Sequence, residues 1–139
     1  MALAPNNIPR IVSRIVAADF HKDMTIVPGK EDLARKMNEQ AVKEAIRNIV
    51  LTNKGERPFQ PQFGCDLDKL LFESATPQTF DLIKSVVTDA IETYEPRCDL
   101  LSVDVLGDID SNQVYVTIMF RIINTDNPVS FNILLDRTR

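Results

Sequence analysis

A chain of 139 residues that is 44% apolar and 26% charged, with four glycines, has the composition of an ordinary globular domain rather than a disordered, fibrous or disulfide-built one. A formal net charge of -4 lacks the basic footprint that binding to a phosphate backbone leaves, so no nucleic-acid partner is expected. No apolar run reaches the roughly 20 residues that span a bilayer, and Arg10 and Arg14 interrupt the apolar start, with no Lys or Arg before it; neither a membrane span nor a signal peptide is expected, which points to synthesis in a cytoplasm.

Residues 1–30, with Pro5, Pro9, Pro28 and Gly29, read as an irregular N-terminal arm, and residues 31–139 as a single α+β domain. Within the arm, Ile8, Ile11, Val12, Ile15 and Val16 fall at helical spacing behind a possible Asn7 cap and Pro9 in the first turn. Such a short amphipathic stripe does not stand alone and docks either on its own core or on another chain.

From Glu31 to Thr52 the spacing predicts a helix: acidic residues in the first turn, a stripe through Leu33, Met37, Ala41, Ala45, Ile46, Ile49 and Val50, then Asn53 and Gly55 as stop signals. Pro58, Pro61 and Gly64 forbid any long element before Asp66, which is placed to cap a short helix through Leu67, Leu70 and Leu71. Thr76 and Pro77 open a second long helix whose stripe runs Phe80, Ile83, Val87, Ala90, Ile91 and Tyr94, and Pro96 ends it.

Beyond Pro96 the apolar period changes from 3.6 to 2. Leu101, Val103 and Val105 alternate with polar residues, Val114 to Ile122 alternate over a longer strand, and Val129, Phe131, Ile133 and Leu135 form a third. Turn-rich connectors between them predict a three-stranded antiparallel meander packed on the N-terminal helices, an α+β fold.

Most catalytic inventories fail. His21 is the one histidine and sits in the irregular arm, where a solvated loop residue is the plain reading; Ser-His-Asp, Cys-His and zinc chemistry have nothing else to use. Cys65 and Cys98 stand 33 residues apart without a CxxC and read as small hydrophobes rather than a disulfide. Asp108, Asp110 and Asn112 start like a calcium loop, but Gln113 and Met119 occupy the places that need glycine and glutamate, so a hairpin turn is preferred. No glycine-rich phosphate cradle is present; no cofactor, metal or small-molecule substrate is expected. A pair of carboxylates meeting across a cleft stays open, because spacing alone cannot place it.

Two stretches carry more information: GERPFQPQFGCDLDKLLFE, residues 55–73, and TYEPR, residues 93–97. With the helix before the first and the strands after the second, over about residues 35 to 135, they resemble the baseplate wedge family of T4-like contractile phages, which initiates the tail sheath and has a counterpart in type VI secretion systems. The resemblance implies a non-enzymatic structural subunit of the virion tail baseplate. It would contact the helical core bundle of other wedge proteins through the Glu-Pro-Arg turn, here Glu95, Pro96 and Arg97, and would offer its sheet to strands added by the tail sheath protein. The family's traditional lysozyme-like label implies as an alternative an acid peptidoglycan hydrolase, and a shared fold implies a small regulatory binding module as another.

The residues themselves support a narrower expectation. Pro96 disfavours helix at Glu95, so the chain should run extended through Glu95, Pro96 and Arg97, with the two charged side chains on one side. Whether Arg97 then serves a partner or only a local acid, worth about 0 to 1 kcal/mol, the sequence leaves open.

Overall fold

The change of period after Tyr94 divides the molecule into a helical half and a sheet. The computed structural model describes residues 17–29, 32–108, 113–123 and 125–136. In chain order the elements are β1 (Ala18–Phe20), β2 (Arg35–Met37), α1 (Glu39–Leu51), α2 (Leu67–Phe72), α3 (Pro77–Tyr94), β3 (Cys98–Asp108), β4 (Gln113–Ile122) and β5 (Pro128–Asp136). The last three form an antiparallel sheet in the order β3-β4-β5, and α3 lies against β3, as an α+β fold with a terminal meander requires. The arm's stripe at residues 8–16 and the turn at 109–112 lie outside the described residues.

Strict alternation on the central strand sets the core. Val114, Val116, Ile118, Phe120 and Ile122 are all buried, while Tyr115 and Met119 between them reach solvent. Ile133 and Leu135 of β5 join them, and Phe131 meets Phe120 edge to face with ring centroids 6.0 Å apart. β3 departs from the expected alternation. It begins at Cys98, and its pairing slips between Leu100, opposite Phe120, and Ser102, opposite Met119. Leu101 is left as the extra residue of a bulge and is half exposed, so Leu100 takes the place on the core that period-2 counting assigns to Leu101.

α3 matches its sequence signals. The Thr76 hydroxyl accepts the Thr79 N–H at 3.3 Å, Pro77 sits where no intrahelical donor is needed, and Ile83, Val87, Ala90 and Ile91 are buried. The helix predicted from Glu31 begins eight residues later, at Glu39. Arg35–Met37 instead pair with Ala18–Phe20 as a strand, Leu33 bridges Ile26, and Asn38, at φ 50°, turns the chain into the helix. Leu33 and Met37 fit a helical stripe by spacing, and Leu33-Ala34-Arg35-Lys36-Met37 carries no apolar/polar alternation, so pairing with a strand far away in sequence overrides the local pattern. Within α1, Val42 rather than Ala45 is fully buried. Asp66 stands before α2 but does not cap it: its backbone is left-handed, and its carboxylate accepts instead from the Lys54 N–H at 2.9 Å and from Lys69 Nζ at 2.9 Å.

Both cysteines are free thiols, Cys65 buried and Cys98 half-buried. Burial pushes Cys65 up to about 12 and Cys98 up to about 11 from an ordinary 9.0. The folded state therefore holds these protons while the unfolded chain loses them, so stability should be full below pH 9 and fall as pH rises through the interval to about 12. Denaturant titrations at pH 7.5 and 10.5 check this. At pH 8 a thiol reagent should reach Cys65 only as fast as the protein opens.

Candidate functional site at the helix-to-sheet junction

α3 ends with the Glu95 N–H donating to the Ile91 carbonyl at 2.9 Å, after which Glu95 takes φ -123° and ψ 77° and Pro96 stops the helix. The chain does not stay extended, as expected from Pro96, but makes a turn at Pro96 and Arg97 before entering β3. The Glu95 carboxylate closes that turn by accepting the Arg97 backbone N–H at 3.3 Å. It also accepts Arg97 Nε at 2.6 Å and Nη2 at 2.8 Å, a bidentate pair with the acid only 3% exposed and the guanidinium about one-third exposed. The two charges meet, therefore, through a turn rather than through strand geometry.

A third group completes the site, and sequence reading missed it. Arg97 Nη1 donates to both carboxylate oxygens of Asp19, at 3.2 and 3.0 Å, across 78 residues of sequence. Glu95 first and Asp19 second hold the guanidinium well above the ordinary arginine range, so it is charged at every accessible pH. The Arg97 carbonyl accepts from Ile123 N–H at 3.1 Å, which fixes the same residue to the end of β4. The only sequence hint of Asp19 is alternation within Ala18-Asp19-Phe20, too short to identify a strand.

The β1–β2 hairpin that carries Asp19 is polar on its inner side. Asp19 faces Arg97, and its cross-strand partner Lys36 pairs with Glu44 of α1 at 3.2 Å, while Phe20 and Met37 are exposed. At its base the buried Ala17 joins the core, and further along the two ion pairs tie the hairpin to the body. Asp19→Ala should cost about 0 to 1 kcal/mol globally, because the Asp19 pair is partly exposed, yet it should speed amide exchange at residues 18–20 and 35–37 selectively. Hydrogen-exchange mass spectrometry reads the difference.

The second motif lies against the same end of α3. Tyr94, the residue before Glu95, donates its hydroxyl to the Gln62 carbonyl at 2.6 Å and packs on Phe63 with ring centroids 5.0 Å apart. Gly55 N–H bonds to the Pro61 carbonyl at 2.9 Å, and Cys65 N–H to the Thr52 carbonyl at 3.0 Å, so the irregular loop is closed at its base. Asn53 adds bonds to Glu56 and Asp68. The two stretches that stood out in the sequence thus form one surface around Tyr94.

Residues 36–127 match the family of baseplate wedge protein gp25. Over 98 residues the chain is 41% identical to baseplate wedge protein gp25 of Enterobacteria phage T4, covering 70% of this chain and 73% of the T4 protein. The chain belongs to the gp25 baseplate wedge family. It is a baseplate component of a contractile tail, found in the virion among other baseplate proteins. Solved structures share the wedge-family fold: a Geobacter sulfurreducens protein provisionally named a tail lysozyme superposes with TM-score 0.65 at 28% identity, covering 70% of this chain and 89% of its own. A chain of the anti-feeding prophage baseplate gives TM-score 0.61 at 16% identity, covering 88% and 87%, and one of the postcontracted pyocin R2 baseplate gives 0.56 at 14%, covering 86% and 99%. Glu95, Arg97 and the 55–73 stretch fall inside the family match, whereas Asp19 precedes it. The latch on Arg97 therefore joins family-matched sequence to the arm.

Proposed function

We propose that this wedge protein is structural and non-enzymatic, and that it joins the helical core bundle of the wedge to the first sheath ring and initiates sheath assembly there, after synthesis in the host cytoplasm. Residues 31–139 supply the working domain and residues 1–30 the arm. Glu95, Pro96 and Arg97 form the contact to the core bundle, and the tail sheath protein adds a strand to an edge of the β3-β4-β5 sheet.

The observation that carries this reading is the junction itself. A buried carboxylate and a guanidinium are matched to one another on a proline turn, so a partner meets a preset shape and little freedom is lost on binding. The same observation weighs against hydrolysis. Glycoside cleavage asks for a carboxylic acid free to give its proton across a cleft, and the buried Glu95 is instead engaged by Arg97.

Variants that keep the charges test the contact. Pro96→Ala frees the backbone angle, and Arg97→Lys keeps the cation but loses the bidentate fork. Each should melt within about 5 °C of the parent, a loss of about 1 to 2 kcal/mol, yet lower the yield of complex when mixed with the remaining wedge subunits. Parental yields from both stably folded variants would remove the turn from the interface.

A further inference from the structure

We propose that the loop from Arg57 to Pro61 is a separate docking anchor, which seats the Phe59 ring in an apolar pocket of a neighbouring baseplate protein while a carboxylate at that pocket's rim meets Arg57. Phe59 is completely exposed, at 103% of its reference surface, and so contributes no packing to its own chain. Its backbone sits at φ 66°, in the left-handed region that a bulky side chain avoids unless the surrounding structure imposes it.

The surroundings do impose it. Pro58 and Pro61 bracket Phe59 and Gln60 in sequence, the Gln60 N–H bonds to the Arg57 carbonyl at 3.2 Å, and the Gly55 to Pro61 bond shuts the loop. A rigid loop that presents one large apolar group loses little freedom when the group is buried by a partner, and aromatic residues and arginine dominate such contacts.

Charge identifies the partner's chemistry. Beside the loop runs a groove of about 360 Å³ lined by Asn48, Thr52, Glu56, Arg57, Pro58 and Phe63. Glu56 is engaged by Asn53, and Thr52 donates its hydroxyl to the Asn48 carbonyl. Arg57 is held over the Phe63 ring at 4.5 Å and makes no ion pair with any described residue, which leaves a positioned cation whose complement is an acidic side chain. The occupant is accordingly a different baseplate protein, folded, with an apolar pocket and an acidic rim, and a crosslink from position 59 separates it from a second copy of this chain.

Competition during assembly tests it. Phe59→Ala or Arg57→Glu chains are mixed in equal amount with the parent chain and the remaining wedge subunits, and the ratio of the two forms in finished baseplates is read by mass spectrometry. Each variant should be depleted about thirtyfold, Phe59→Ala with an unchanged melting temperature and Arg57→Glu with a slightly lower one because its contact with the Phe63 ring is lost, while Arg57→Lys stays close to parity. Equal incorporation of Phe59→Ala overturns the proposal. So does photocrosslinking from p-benzoylphenylalanine at position 59 of the assembled baseplate if it reaches only another copy of this chain or yields no product. A crosslink to a different baseplate protein next to Asp or Glu supports it. Because these variants leave Glu95 and Arg97 intact, a failure here does not touch the turn contact.

Discussion

Arg97→Ala is expected to lower the melting temperature by about 10 to 15 °C, a loss of about 3 to 5 kcal/mol. The substitution leaves Glu95, 3% exposed in the parent, with its carboxylate stripped of both guanidinium bonds and holding only the weaker contact to the backbone N–H of residue 97. An acid in that position must stay charged without its partner, gain a proton, or pull the end of α3 apart to reach water, and each route destabilises the fold. The reverse substitution is milder. Glu95→Ala frees a guanidinium that is about one-third exposed and keeps Asp19, so about 1 to 3 kcal/mol is the expected loss. The double variant should then lose less than the sum of the two, because the charge orphaned by either single change is gone. Thermal melts of all three at neutral pH decide it. If Arg97→Ala melts within about 3 °C of the parent, a shift of about 1 kcal/mol, the carboxylate is hydrated after all and the junction is not a rigid unit. Wedge-assembly assays on alanine variants of this pair therefore belong well below their melting temperatures.

What could be read in the sequence follows how local each determinant is. α3 has its cap, its N1 proline and its stripe within one window, and β4 has five alternating apolar residues, so both were legible with their buried faces. β3 was legible as a strand but not in register, since a bulge at Leu101 changes no residue type and shows itself only in the pairing with β4. Residues 32–38 carry helical spacing and no strand alternation, and their partner β1 lies in a stretch whose own signal is three residues long, so the pairing is not visible locally. Asp66 had the right residue type and position for a cap, yet Lys54 and Lys69 compete for the carboxylate, hold its pKa below the usual carboxylate range and leave the helix end uncapped. In the junction, Glu95 and Arg97 were legible as a pair because they stand two positions apart, and Asp19 was not because it stands 78 positions from Arg97. Phe59 was visible in its motif, but its complete exposure is a property of the folded loop alone.

Gly64→Ala should be the other severe change, at about 3 to 5 kcal/mol, combining a left-handed backbone with an overfilled contact. Gly64 sits at φ 111°, and a Cβ there would lie 2.2 Å from the Thr52 carbonyl oxygen and 2.9 Å from the carbon behind it. Backbone atoms cannot swing aside as a side chain does. That same oxygen accepts the Cys65 N–H, so any relief breaks the bond that closes the loop and shifts the buried Cys65 on one side and Phe63 on the other. Phe63 packs on Tyr94, so the damage is carried to the residue before Glu95. Gly55→Ala supplies the control: φ is 88° but nothing lies within 4 Å of its Cβ, and strain alone should cost about 1 to 2 kcal/mol. The difference between the two melts isolates the close approach at Thr52, and a thiol reagent adds a local readout, because Cys65 in the Gly64→Ala chain should react faster than global unfolding explains. Equal losses from the two glycine variants would mean that the loop yields without cost, and that the surface shared by residues 55–64 and the Glu95–Arg97 turn is not held as one body.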